Sequence, residues 1–243
     1  MRKTPLILGH RGVPGQAPEN TLAGFELAMA QGADGIELDV HLSRDGELVV
    51  IHDELLDRTT DGHGPVGTYS LEELRQFDAS AKFAKGFERQ CIPTLGEAVE
   101  ALGDSAYINI ELKSGVVLYP GIEERLADFI IAKGMVDRVI VSSFNHYSIV
   151  ELKRIAPEIR VGLLYMAALV NAWEYANSVG ADALHPLHYS VRKEFVEASH
   201  SCGIMVNPWA PVSESDLRRV ISAGVDAVIT NVPGDAIRIR EEV

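Results

Sequence analysis

Asp34-Gly-Ile-Glu-Leu-Asp-Val40 is followed, after a short turn, by Gly46-Glu-Leu-Val-Val-Ile-His-Asp53, and this pair of segments governs the reading of the whole chain. Successive side chains of a strand point to opposite faces, so Ile36, Leu38 and Val40 share one face while Glu37 and Asp39 share the other. In a strand this rich in Ile, Leu and Val, both faces read as buried. Two like charges side by side are then costly unless a cation or a proton offsets them. An amphipathic edge strand with its acids in water would carry the same residues, so the rest of the chain must decide. Ser43-Arg-Asp-Gly46 reads as a hairpin turn that brings Leu48–His52 back antiparallel, returning His52 toward Glu37.

On the N-terminal side, Pro5-Leu-Ile-Leu-Gly9 is a short buried strand that delivers His10, Arg11 and Gly12 to its end, after which Pro14, Gly15 and Pro18 enforce a loop. A helix follows, capped by Asn20 or Thr21 and stopped at Gly32. Glu19 and Asn20 serve either to orient the loop or to cap this helix, and capping is the preferred reading. On the C-terminal side, residues 53–93 fit no regular period and are read as a cap-like insertion covering one end of the fold. The strand Ala106–Lys113 then repeats the theme, with Asn109, Glu111 and Lys113 on one face and Ile108, Ile110 and Leu112 on the other.

Strand and helix alternate from there to the end, with helices expected near 120–133, 145–155, 168–178, 190–201 and 214–223 and a late strand at 203–208. Strands starting near 6, 36, 107, 139, 160, 183, 204 and 226, each followed by a helix, predict a single (β/α)8 TIM barrel over residues 1–243. An open doubly wound sheet is the alternative, but it usually carries a GxGxxG turn after the first strand, and none occurs here.

Composition narrows the function. A formal charge of −13 and dispersed basic residues argue against nucleic acid. No apolar run approaches the ~18 residues of a membrane span, and the four-residue run from Pro5 is too short for a signal peptide. Cys91 and Cys202 stand alone, in no metal-binding spacing, and read as core thiols of a reducing compartment, so a cytoplasmic location is expected. A homo-oligomer is compatible with the sequence.

A barrel gathers its chemistry at the C-terminal ends of its strands. His10 and Arg11 end the first strand, Glu37 and Asp39 lie late on the second with His52 beside them, and Glu111 and Lys113 end the third. Three carboxylates without Cys or clustered His suit a hard cation, Mg²⁺ or Ca²⁺, rather than zinc. Arg11 and Lys113 beside such an ion suit a phosphate, and His10 and His52 suit a general base and acid. Asn109, deeper on the face of Glu111, either supports this set or is an ordinary core hydrogen-bonding residue. His41 lies past Asp39 near the turn, and His63, His146, His185, His188 and His200 are assigned to loops or helices without a chemical role.

His10-Arg-Gly12, Pro18-Glu-Asn-Thr21, Glu37-Leu-Asp39, His52-Asp53, Leu56-Asp-Arg-Thr-Thr-Asp-Gly62, Ile92-Pro-Thr-Leu95, Glu111-Leu-Lys113, Ser143-Phe144 and Ile229-Thr230, in this order over nearly the whole chain, make it resemble the glycerophosphodiester phosphodiesterase family of phospholipase-C-like barrels. The resemblance implies metal-dependent hydrolysis of a glycerophosphodiester to sn-glycerol 3-phosphate and an alcohol, by way of a cyclic phosphate. It implies that Glu37, Asp39 and Glu111 hold the metal, His10 and His52 are the acid–base pair, and Arg11 and Lys113 hold the phosphate. It also implies that Trp209 contacts the glycerol. Asn207-Pro208, Ala210-Pro211 and Asn231, where an aspartate is usual, depart from the pattern and are read as bearing on leaving-group preference. A lysophospholipase-D-like activity, with Phe77, Phe83 and Phe87 forming an apolar mouth, and a catalytically silent phosphodiester-binding barrel are the alternatives.

Overall fold

The computed structural model describes residues 4–115 and 118–243. The chain opens with β1 (Leu6–His10), α1 (Leu22–Ala30), β2 (Gly35–Leu42) and β3 (Leu48–Val50). A short helix, α2 (Leu71–Leu74), interrupts the irregular stretch before α3 (Leu95–Leu102) and β4 (Tyr107–Leu112). The alternation then runs α4 (Ile122–Ala132), β5 (Val139–Ser143), α5 (His146–Ile155), β6 (Arg160–Tyr165), α6 (Ala172–Ser178), β7 (Ala183–Pro186) and α7 (Lys193–Ser201). It ends with β8 (Met205–Val206), α8 (Glu214–Ser222), β9 (Ala227–Thr230) and α9 (Pro233–Glu242).

The strands form one sheet in the order β8-β7-β6-β5-β4-β2-β1-β9, all parallel, with β3 antiparallel to β2 outside this path. The two end strands meet: Asp226 N donates to Val206 O at 2.9 Å, Ile229 N donates to Pro208 O at 3.0 Å, and Trp209 bridges to both Leu187 and Ile229. The result is a nearly closed eight-stranded parallel barrel. The expected strand 203–208 shortens to two residues because Pro208 has no N–H to give to the closing seam.

Parity sorts the side chains. Ile36, Leu38 and Val40 of β2 pack outward with Phe25 of α1 in a continuous core that also takes in Ile108, Ile110 and Leu112 of β4 and Leu126 and Ile130 of α4. Glu37 and Asp39, on the other face, are buried inside the barrel. Two helices start later than their sequence pattern implies: Asn171 sits in the left-handed region at φ 52° just before α6, and a 3₁₀ turn at His188–Ser190 precedes α7.

Val49 of β3 and residues between β3 and α3, namely Ile51, Leu56, Val66, Leu74 and Ile92, build a satellite core. Phe77 packs edge-on against Tyr69 in this cluster, while Phe83 and Phe87 pack on each other. The cysteines correct their sequence reading, since both Cys91 and Cys202 are exposed thiols. Cys91 lies in the irregular approach to α3 and Cys202 caps the end of α7, so neither occupies an inward position.

Candidate active site

The β-sheet register builds the site in steps. His10 pairs with Glu37, Glu37 with Asn109, Asp39 with Glu111, and Glu111 with Ser142, so four adjacent strands present polar side chains on one side at neighbouring levels. Ligand oxygens of Glu37, Asp39 and Glu111 all lie within 4.8 Å of one another, and all three residues are buried. His10, Arg11, Glu37, His52, Glu111 and Trp209 line one cavity of about 160 Å³. Lys113 lines the cavity next to it.

Local backbone holds the first loop against this cluster. Arg11 has φ 56° and Asn20 φ 55°, left-handed values that cost a non-glycine residue and persist where surrounding contacts impose them. Here Arg11 N donates to Glu37 O at 2.8 Å and Asn20 N donates to Arg11 O at 3.0 Å. Gly12, at φ 91°, lets the loop touch α1: a Cβ there would lie 2.6 Å from Gly24 O.

The carboxylates divide unequally. Burial alone would raise Asp39, but Lys113 and Arg11 outweigh it and hold the carboxyl well below its ordinary range. Lys113 Nζ is 3.0 Å from Asp39 Oδ1 and Arg11 Nε is 3.3 Å from Asp39 Oδ2. Glu37 is pushed well above the usual carboxylate range by burial and by the charges of Asp39 and Glu111. Glu111 rises to about 7 by burial and the Asp39 charge, against the pull of Lys113. Three buried acids opposed by two cations thus leave a negative excess that a divalent ion or protons must meet. The all-oxygen donor set fits Mg²⁺ or Ca²⁺.

Each histidine has an oriented ring. His10 Nδ1 donates to Asn231 Oδ1 at 2.6 Å, which leaves neutral His10 with a basic Nε2, 3.9 Å from Glu37 Oε2. Burial and the nearby Arg11 charge lower His10 to about 4. His52 Nδ1 donates to Asp53 Oδ1 at 2.5 Å, and burial lowers it as well, opposed by the charge of Asp39. Asp53 is in turn gripped by Arg58, whose Nε donates to Oδ2 at 2.5 Å and whose Nη2 donates to Oδ1 at 3.1 Å. The same guanidinium binds both oxygens of Glu19 at 2.7 and 2.8 Å, and Glu19 accepts from Arg11 Nη1 at 3.1 Å. His52, Asp53, Arg58, Glu19 and Arg11 therefore form one chain from the β2–β3 hairpin back to the end of β1.

Several sequence readings change here. Thr21 alone caps α1, accepting from Gly24 N, while Asn20 donates through Nδ2 to Asp39 Oδ2 at 2.7 Å and Glu19 joins the chain just described. Asn20 and Glu19 orient the site rather than cap the helix. Asn231 touches His10, so the residue that departs from the usual aspartate is in direct contact with that ring. His185 lies on β7 rather than in a loop or helix and is fully buried, and Asn207 Nδ2 sits 3.1 Å from its Nε2. Gly162 makes room for that ring, since a Cβ there would fall 2.4 Å from His185 Nε2. His41 is buried too, its Nε2 3.1 Å from His52 O and its Nδ1 2.9 Å from the Tyr119 hydroxyl. Trp209 donates through Nε1 to His185 O at 2.9 Å and meets Phe144 edge-on at 5.5 Å. Asp53 and Arg58 carry no assigned role in the sequence, though both stand in the motifs His52-Asp53 and Leu56–Gly62, and Asn231 is read there for the leaving group rather than as a partner of His10.

Comparison with known proteins identifies the family. A sequence profile of the glycerophosphoryl diester phosphodiesterase family matches residues 10–235. A glycerophosphodiester phosphodiesterase of Caldanaerobacter subterraneus subsp. tengcongensis is 48% identical over 235 residues, spanning 96% of this chain and 97% of its own length. One from Bacillus altitudinis is 41% identical over 241 residues, spanning 98% of both. Among solved structures, an Oleispira antarctica phosphodiesterase in complex with the product sn-glycerol-3-phosphate superposes with a TM-score of 0.85 at 32% identity, covering 98% of this chain and 97% of that one. With a parallel barrel carrying these acids and histidines at one rim, the chain belongs to the glycerophosphoryl diester phosphodiesterase family and is an enzyme of that class.

Proposed function

We propose that the enzyme hydrolyses glycerophosphodiesters to sn-glycerol 3-phosphate and an alcohol, with a divalent cation held by Glu37, Asp39 and Glu111. The observation that carries this reading is a cluster of three buried carboxylates, two of which, Glu37 and Glu111, line one cavity together with two oriented histidines. The Oleispira relative, captured with sn-glycerol-3-phosphate, is consistent with it. When bound, a divalent ion would polarise a phosphoryl oxygen and make a neighbouring hydroxyl more acidic. Arg11 and Lys113 bind the phosphate oxygens, and Trp209 packs on the glycerol.

His10 Nε2, left basic by the Nδ1 bond to Asn231, takes the proton of the glycerol 2-hydroxyl as its oxygen bonds to phosphorus. His52, steered by Asp53, gives a proton to the leaving alkoxide as its bond to phosphorus breaks. A water then opens the cyclic phosphate: His52 accepts a proton from water, and His10 returns its proton to the glycerol 2-oxygen. The chain acts as one barrel domain with residues 53–93 as its cap, in the cytoplasm and without nucleic-acid partners. No helix among the described residues is long and apolar enough to cross a membrane.

The test is release of glycerol 3-phosphate from purified protein. His10→Ala and His52→Ala should each lower turnover by ~10²- to 10⁴-fold. Wild-type rates in both variants would refute the assignment. Of the three phenylalanines a lysophospholipase-D-like reading would use, Phe77 packs in the satellite core, whereas Phe83 and Phe87 meet edge-on with Phe87 exposed.

A further inference from the structure

A second cavity of about 250 Å³ adjoins the catalytic one and shares Glu111 and Phe144 with it. His41, Glu54, Lys113 and Ser143 lie on its wall. Glu54 follows His52 by two residues, so this cavity lies on the side of the site that holds the histidine assigned to the leaving alcohol. Among the described residues the Glu54 carboxylate makes neither an ion pair nor a hydrogen bond; its backbone carbonyl alone is engaged, by Val66 N at 2.9 Å. Lys113, the cation on the same wall, is turned toward Asp39 and Glu111 and, in the reading above, serves the phosphate, and it makes no ion pair with Glu54. Glu54 therefore faces this space as uncompensated negative charge. Its field also reaches Tyr119, where burial first and Glu54 second raise the phenol to about 12. Phe144, 44% exposed, adds an aromatic surface at the junction of the two cavities.

Displacement at phosphorus places the leaving oxygen opposite the attacking one. Trp209 lines the first cavity alone, while Phe144, edge-on to Trp209 at 5.5 Å, lines both, so the second space is the room open to a departing alcohol once the glycerol occupies the first. A carboxylate without a cation beside an aromatic ring suits an ammonium group, by charge and by cation–π attraction. We propose that Glu54 and Phe144 form the leaving-alcohol pocket and favour a cationic amino alcohol over a neutral one. This rests on the glycerophosphodiesterase reading above.

Three diesters of glycerol 3-phosphate separate the two claims: those of choline, ethanolamine and glycerol. The ratio of kcat/KM for a cationic over the neutral substrate should fall about five-fold in Glu54→Gln, the scale of one solvent-accessible ion pair. It should fall further in Glu54→Lys, and the fall should shrink at high salt as the interaction is screened. Phe144→Leu should lower the choline-to-glycerol ratio as well. Ratios that stay at the wild-type value in both Glu54 variants overturn the pocket while leaving the activity standing. Absence of glycerol 3-phosphate from all three substrates with wild-type enzyme overturns the parent reading, and the pocket with it.

Discussion

Arg58→Ala removes a guanidinium that sits outside the catalytic cavity yet donates four hydrogen bonds, two to Asp53 and two to Glu19. Asp53 is thereby held to about 2: burial would raise it, and Arg58 followed by His52 more than reverses this. Buried, a charge-assisted fork of this kind is worth roughly 1.5–3 kcal/mol per bond. Arg58 is 47% exposed, so water and screening reduce the net to about 1–2 kcal/mol for the whole group. Asp53 stays ionised after the substitution but loses the partner that fixes its direction, and His52 loses its steering with it. A cost of about 1.4 kcal/mol felt in the transition state corresponds to a tenfold fall in rate. Steady-state kinetics on a glycerophosphodiester should show kcat reduced about tenfold with KM nearly constant, accompanied by a loss of about 2–8 °C in Tm. Arg58→Lys restores the charge without the planar fork and should recover part of kcat. A wild-type kcat in Arg58→Ala would refute the claim that this chain of side chains positions His52.

Two further outcomes follow from buried polar groups. Asn20→Ala withdraws the amide that donates to Asp39 Oδ2, and apparent metal affinity, read by titrating activity with the ion, should weaken ~10- to 100-fold, as for other residues that orient a ligand. Burial holds His185 down to about 3 against an ordinary 6.5, so between these values the unfolded chain takes up a proton that the folded protein refuses. Its contribution is complete above the ordinary value and is lost as pH falls, by about 2 kcal/mol near pH 5. Denaturant unfolding across this range should show a slope that flattens in His185→Gln; an unchanged slope would contradict the neutral, buried ring.

What could be read from the sequence was what depends on local periodicity. The alternation of Glu37 and Asp39 with Ile36, Leu38 and Val40, and of Glu111 with Ile110 and Leu112, specifies which side chains face inward whatever the partner strands are. The eightfold strand–helix rhythm likewise determines a barrel, and the barrel determines which rim is shared. Contacts between loops have no such period. His10 and Asn231 are 221 residues apart, and Arg58 and Glu19 are 39 apart, so their pairing emerges only once closure brings the ends of β1 and β9 and the cap together. Glu19 and Asn20 resemble capping residues because capping is the commoner use of such residues before a helix, and here Thr21 already fills that place. The cysteines misled for the opposite reason: composition favours burial of a free thiol, but position decides it.

The most direct measurement is turnover of a glycerophosphodiester by enzyme stripped with a chelator, then supplied with Mg²⁺, Ca²⁺ or Mn²⁺, with Glu111→Gln carried in parallel. Activity should vanish on stripping, return with at least one of these ions in the wild type, and return weakly or not at all in the variant. Turnover that survives thorough removal of metal would show that the acids of β2 and β4 do not serve through a shared cation.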